Sequence, residues 1–465
     1  MPSSKPHVNR EVILALLFLS SFLFVGCAGS NATPPVAAAP LVSATPFEKS
    51  IDVDLSSSSS ISPQAKFTIS NQGNDPIVMP AIVLKGNPAL NRSSILFPIQ
   101  GLKDEEFARA TWRFVIDHRQ HYCVAGTTAD ENQFAQEPMR LLNGFGFTCC
   151  DQSGMILTWL WQGAGYPARL VWTSFHEVPE IYYQGAWHMF DADHQVFDLQ
   201  LDNKTVASTA DIIANPFLVA RVKDANGNDP VGVSAQFWAD QYAVETPLYF
   251  DVDYKIQQIY SLQPGQSISV NFEKGDAAFH GPFFENGTPV ASTGNFDWGL
   301  DYTNPNWRSL ASTTSGITTV GNFLVNSEAT GSAVYVLSSP FPVISLRVSG
   351  LVDLASPNSA VKAYFSTDGA SWSSAFPLAF NDGISGQASA DLSSAAAGEY
   401  IYFVKLEISG DSSNAARIAN VHIVSEVQNS VYVFPTLAPG QVNHLTYQDW
   451  SPAPADHNVK ISFEQ

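Results

Sequence analysis

Residues 325–465 constrain the fold most, because they alternate apolar and polar side chains in short runs broken by Gly, Asn and Ser. Ser332-Ala333-Val334-Tyr335-Val336-Leu337, Val361-Lys362-Ala363-Tyr364-Phe365-Ser366 and Tyr400-Ile401-Tyr402-Phe403-Val404-Lys405-Leu406 are of this kind. A period of two places alternate side chains on opposite faces of a strand. Short strands at regular spacing, with turn residues between them, predict a β-sandwich over 325–465. The phrase Leu262-Gln263-Pro264-Gly265-Gln266 returns as Leu437-Ala438-Pro439-Gly440-Gln441, each time before a strand-like run. Residues 206–324 read as a β-rich extension built around the first of these Pro-Gly turns.

A chain of 465 residues divides naturally into several domains. Lys66-Phe67-Thr68-Ile69-Ser70 and Ile77-Val78-Met79, cut by turn residues, predict a small β subdomain over 48–98. The character changes near residue 103. Phe107, Ala110, Thr111, Phe114 and Val115 form one stripe of an amphipathic helix, and a second helix is expected within 131–143. The 43 acidic residues against 23 basic ones leave a net charge of −20, which excludes nucleic acid as a natural partner.

The N-terminus reads as an export signal: Lys5 and Arg10 precede an apolar run from Val12 to Val25. That run is short for the roughly 30 Å of a bilayer's hydrocarbon core. Phe24-Val25-Gly26-Cys27 resembles the lipobox of bacterial lipoproteins. The resemblance implies lipid attachment at Cys27 and a membrane partner through that lipid. With Ala28 next, it implies the cell envelope, at the outer membrane. The alternative is an ordinary secretory signal cleaved nearby. Residues 28–47 are then an Ala/Pro/Ser tether.

The segment Gly144-Phe145-Gly146-Phe147-Thr148-Cys149-Cys150-Asp151-Gln152-Ser153 holds two of the four cysteines, followed by an apolar helix through Trp161. Thr148 and Asp151 fit the [ST]-x-x-[DE] capping pattern. With Thr148 as N-cap, Cys149 is the first helical residue, where free N–H groups and the helix dipole favour a thiolate. Those N–H groups also suit an oxyanion. Acyl transfer needs a base and a group that orients it. Tyr183-Gln184-Gly185-Ala186 reads as a hairpin tip, and Gln184-Gly185 as its centre sets Asp191 opposite Val178. His176 shares the face of Val178, so His176 and Asp191 become diagonal neighbours with backbones roughly 7–8 Å apart.

The order of Cys149 with Asp151 and Ser153, then Gly165-Tyr166-Pro167-Ala168-Arg169-Leu170, then His176, Glu180-Ile181-Tyr182, Gly185, Trp187 and Asp191 resembles the bacterial transglutaminase-like superfamily. Phe147 stands where that family usually has glycine. The resemblance covers about residues 100–200. It implies an α+β, papain-like core over 99–205, with Cys149 as nucleophile, His176 as base and acid, and Asp191 as orienter, and needs no cofactor or metal. It leaves Cys123 and Cys150 free to form a disulfide.

Adjacent cysteines do not have zinc-type spacing, which disfavours a metal site from Cys149, Cys150, His176 and His194. His188 reads as an ordinary hairpin residue, and Asp193 and Asp198 as a solvated turn rather than a calcium loop. The expected fold class is therefore α+β, a transglutaminase-like core between a small N-terminal β subdomain and C-terminal β-sandwich modules. The expected function is an envelope enzyme that hydrolyses or transfers at a peptide or amide bond of a peptide or protein substrate through a thioester. The alternative is a catalytically silent scaffold lipoprotein that holds protein or glycan, with Tyr364, Trp372, Phe376 and Trp450 of the sandwich as stacking aromatics.

Overall fold

The computed structural model describes residues 45–78, 80–83, 91–122, 137–173, 176–220, 248–250, 260–279, 288–378, 385–433, 435–452 and 457–465. The export signal, Cys27, the tether to residue 44 and Cys123 lie outside them. So do the first residues of the helix expected within 131–143, of which the stretch from Pro138 onward is helical.

Strand β1 (Phe47–Asp54) runs antiparallel to residues 442–449, with Ile51 opposite Leu445. Strand β2 (Lys66–Asn71) lies between residues 266–271 and 459–464. Phe67, Ile69 and Asn71 of β2 are buried and the residues between them less so, which is the period-two pattern of its sequence. The first strands are thus completed by residues 267–271, 442–449 and 459–464, and do not form a self-contained sheet.

Helix α1 (Asp104–Asp117) begins with Asp104, Glu105 and Glu106, whose charges complement the positive end of the helix dipole. Its buried face carries Phe107, Ala108, Thr111 and Val115. Helix α2 (Cys150–Gly163) is buried from Gln152 to Trp161. The Trp161 indole donates to Thr111 Oγ1 at 2.7 Å and ties the two helices together. Gly154 lets α2 lie close to the neighbouring sheet: a Cβ there would stand 2.5 Å from Leu170 Cδ1.

That sheet consists of residues 248–250, β3 (Ala168–Trp172), β4 (Glu177–Tyr183) and β5 (Ala186–Met189), all antiparallel. Glu180 pairs with Met189 and Tyr183 with Ala186, the register set by a two-residue turn at Gln184-Gly185. Both turn residues have positive φ, 51° and 86°, as the favoured hairpin turn requires.

Beyond residue 260 the regular elements of the described residues are strands, apart from the four-residue helices Trp307–Leu310 and Ser393–Ala396. Strands β6 (Gln266–Asp276), β7 (Val290–Leu300), β9 (Val343–Leu354) and β12 (Ala416–Ser430) belong to a nine-stranded sheet that also takes in β2. Strands β8 (Thr330–Ser338), β10 (Ala360–Ser366) and β11 (Ile401–Ser409) belong to a five-stranded sheet. Trp298, Tyr335, Val348, Leu406 and Ile423, from both sheets, share one buried core. Burying each such large side chain contributes about 1.5–3 kcal/mol before entropy is counted.

The fold class is therefore predominantly β and sandwich-like, which overturns the α+β, papain-like expectation. Among the described residues only α1 and α2 exceed six residues, against strands along most of the chain. Helical periodicity is confined to two short stretches, whereas period-two alternation recurs at both ends of the sequence.

Strand β12 carries the sandwich to the base of α2. Gln428 Nε2 donates to the carbonyl of Gly144 at 3.0 Å. Gly146 has φ 67°, and a Cβ on it would meet Ser430 Oγ at 2.2 Å. Only glycine meets both demands.

Candidate active site

Helix α2 starts one residue later than the capping pattern suggests. Cys149 is its N-cap: its N–H donates to Gln152 Oε1 at 3.0 Å, and its sulfur accepts from the Gln152 N–H. Thr148 is buried instead, its hydroxyl bonded to Ser153 Oγ at 2.8 Å and its carbonyl accepting from Arg119 Nη1 at 3.2 Å. Cys150 therefore holds the first helical position.

Cys149 is disulfide-bonded, and Cys150 is a free, half-buried thiol. A disulfide sulfur is no nucleophile, so the expectation for Cys149 is overturned, as is the Cys123–Cys150 pairing. The partner of Cys149 lies outside the described residues. The capping pattern and the family spacing both point one residue too early, because Thr148, the better intrinsic cap, is drawn into other bonds.

His176 precedes β4, and its carbonyl accepts from both the N–H and the hydroxyl of Thr173, at 2.8 and 2.7 Å. Nε2 of His176 meets Asp191 Oδ2 at 2.6 Å, both side chains buried. The Cys150 thiol lies beside the same imidazole, which pulls on its proton. The diagonal His176–Asp191 contact follows from the hairpin register, and it faces Cys150 rather than Cys149.

Asp191 opens a tight turn closed by paired bonds with Val196, 2.9 Å from Asp191 N to Val196 O and 3.0 Å in return. Its Oδ1 accepts the His194 N–H at 2.9 Å, and its main-chain oxygen accepts the Trp112 indole at 2.8 Å. Asp193, next in the turn, is clamped by Arg119 Nη1 at 3.1 Å and His121 Nε2 at 3.3 Å. Buried Arg119 also donates to the carbonyls of Ala192 and Asp193, at 2.5 and 2.7 Å. One guanidinium thus fixes the strand before α2 to the turn that carries Asp191. Nothing in the sequence near Arg119 marks it. The Asp191-Ala192-Asp193-His194 run, just past a strand, is the signal that marks the turn.

Burial pushes the Cys150 thiol up, against the pull of His176. Burial also opposes a charged His176, yet the Asp191 carboxylate outweighs it and holds the imidazole well above the usual histidine value. Asp191 is likewise opposed by burial, and His176 and His194 hold it well below the usual range. The imidazole lowers the thiol and the thiol raises the imidazole, each acting on the other. Two more carboxyls line this region. Burial raises Asp151, and burial with the nearby Asp151 charge pushes Glu177 up to about 8.

His176, Asp191 and His194 offer three donor atoms within 4.8 Å of one another, as do Cys149, Cys150 and Asp193. The disulfide removes Cys149 from the second set. In the first, the 2.6 Å from nitrogen to oxygen is a hydrogen bond; two ligands on a tetrahedral zinc stand roughly 3.3 Å apart. The arrangement fits a shared proton better than a metal.

The other polar residues of the hairpin are structural. His188 is bonded to the Val206 carbonyl at 2.7 Å and stacks on Tyr183. Buried Glu180 accepts from Arg169 at 2.7 Å and from the Thr209 N–H at 2.6 Å. In the sandwich, Tyr364 and Trp372 both lie against the Lys405 ammonium, 4.1 and 4.8 Å from ring centre to nitrogen. Phe376 packs partly into the core, and the Trp450 indole N–H is buried.

No family profile matches the chain, and no curated protein matches it. Among solved structures it is similar to the insecticidal crystal protein Cry2Aa at 10% identity and a TM-score of 0.19, over 40% of this chain and 36% of that one. It is also similar to the infectious bursal disease virus VP2 subviral particle at 11% identity and a TM-score of 0.19, over 96% and 87% of the two chains. Likenesses this distant carry no argument about this chain.

Proposed function

We propose that the chain carries an acyl-transfer site in which Cys150 is the nucleophile, His176 its base and acid, and Asp191 the orienting carboxylate. One observation carries this reading: a free thiol at the first turn of a helix stands beside an imidazole whose Nε2 is held at 2.6 Å by a buried carboxylate. The resemblance of residues 165–191 to the transglutaminase-like superfamily supports it.

His176 takes the Cys150 proton, and the thiolate attacks the carbonyl carbon of a peptide or amide. The C–N bond breaks as the imidazolium gives its proton to the departing amine, leaving a thioester. Water, deprotonated by His176, then releases the acid and restores the thiol. An N–H at the first turn of α2 would stabilise the oxyanion. Water far outnumbers amine acceptors, which favours hydrolysis over cross-linking.

The N-terminal signal supports an envelope lipoprotein attached through Cys27 at the outer membrane. With Cys27 lipidated, Cys123 is the cysteine left to pair with Cys149. Peptide mapping without reductant checks that pairing, and Cys27→Ser should release the protein from the membrane fraction.

The catalytic reading is tested by iodoacetamide labelling without reductant across pH. Label should enter Cys150, disappear in Cys150→Ala, and lose its low-pH component in His176→Ala. Labelling of Cys150 at the rate of a model thiol, unchanged in His176→Ala, overturns the site.

A further inference from the structure

Asp191 serves two imidazoles. Its Oδ2 meets Nε2 of His176 at 2.6 Å and Nδ1 of His194 at 2.9 Å. The two rings stack with centres 4.0 Å apart and planes 22° apart. The His194 backbone N–H holds the other carboxylate oxygen. The next residue, Gln195, has φ 59°, a left-handed conformation unfavourable for a non-glycine residue. The turn is therefore held in a strained form that brings His194 back over His176.

We infer that His194 is a positioning residue, one that fixes the plane of the His176 ring and shares its carboxylate, so setting the range of pH over which the thiolate–imidazolium pair persists. This inference rests on the acyl-transfer reading of Cys150. With Nδ1 2.9 Å from Oδ2, His194 draws on the same carboxylate oxygen and withdraws part of its attraction from His176. The His176 proton is then easier to pass to a departing amine.

The charged and titratable groups around this pair are Cys150 and Asp151 from α2, Glu177 from β4, and Asp191 and Asp193 from the turn. Arg119 and His121 stand behind Asp193. Among these, Asp191 is the group that both rings touch directly.

The rate of Cys150 alkylation by iodoacetamide against pH tests this. For a thiolate–imidazolium pair that profile rises twice, first as the pair forms and again as the imidazolium loses its proton. His194→Phe keeps a ring over His176 and removes the N–H, so the second rise should move about one unit higher in pH. His194→Asn places an amide N–H near the same oxygen without a ring or a charge, and should leave the second rise where the wild type has it. Superimposable wild-type and Phe profiles, or equal shifts in Phe and Asn variants, overturn the inference. A His176→Ala profile identical to wild type instead overturns the reading beneath it, and the two failures are distinguishable. If the Phe variant does not fold, the wild-type protein gives a second measure by proton NMR. Two downfield imidazole N–H signals that titrate together support the inference, and a single one overturns it.

Discussion

The molecule holds the same pair of side chains in two settings. His176 and Asp191 meet at 2.6 Å beside α2, with side chains 3% and 1% exposed. His444 and Asp52 meet at 2.7 Å across β1 and its partner strand, with side chains 77% and 64% exposed. Distance alone does not separate them. Water around the second pair screens its attraction and competes for its hydrogen bonds, whereas burial at the first leaves the charges to act on each other. The first also has a thiol as a third group beside its imidazole; the second lies on an open strand surface. Burial and that third group distinguish the first pair from a common surface ion pair.

The largest effect should come from removing that third group. Cys150→Ala should abolish rapid alkylation and lower any amidase turnover by at least about 10³-fold. Cys149→Ala should keep the reactive thiol and lose the disulfide, lowering stability by about 2–4 kcal/mol in a denaturant melt. A reactive thiol that vanishes in Cys149→Ala and survives in Cys150→Ala would reverse the assignment of the two cysteines.

Next comes the carboxylate. Asp191→Asn keeps the shape of the side chain but removes the charge that selects the His176 tautomer, and should lower turnover on the order of 10²–10⁴-fold. Asp52→Asn on the exposed pair should leave turnover unchanged. Equal effects of the two substitutions would erase the contrast between the settings.

How much of this was legible in the sequence depended on the range of the interaction. The β4–β5 register was, because Gln184-Gly185 and the alternation around it are local, and His176 and Asp191 meet as a consequence. The start of α2 was not. Thr148 and Cys149 are both possible caps, and the choice falls to Arg119 and Ser153, which occupy the Thr148 carbonyl and hydroxyl. That one-residue shift moves the thiol from Cys149 to Cys150. The strands of residues 47–71 were visible as strands, but their partners lie close to 400 residues away, and no local pattern names them. Hence a short helical motif weighed too heavily in the fold class against strands scattered along the rest of the chain.

A smaller effect concerns pH and stability. Asp191 is depressed, so its contribution is present above about pH 3.9 and is lost as pH falls through its folded value. His176 is raised, so its contribution is present below about pH 6.5 and is lost as pH rises through its folded value. Glu177 has the opposite sense for an acid: at about 8, up from 4.5, it opposes folding increasingly as pH rises between those values. Glu177→Gln should therefore change the melting temperature little at pH 4.5 and raise it at pH 8. A melting-temperature difference that stays constant from pH 4.5 to 8 would show that Glu177 ionises as freely in the folded chain as in the unfolded one.

The smallest effect should come from the exposed pair itself. His444 and Asp52 gain little from each other in water, because two mobile side chains must be held in one geometry and salt screens their charges. A double-mutant cycle of His444→Ala and Asp52→Ala should give a coupling below about 0.5 kcal/mol at pH 6, falling further in high salt. The alkylation profile of Cys150 should be untouched in all three variants. A coupling above about 1.5 kcal/mol that resists salt would mean that the open strand surface protects its ion pair as well as the buried turn does. Burial would then no longer distinguish the pair beside Cys150 from the exposed one.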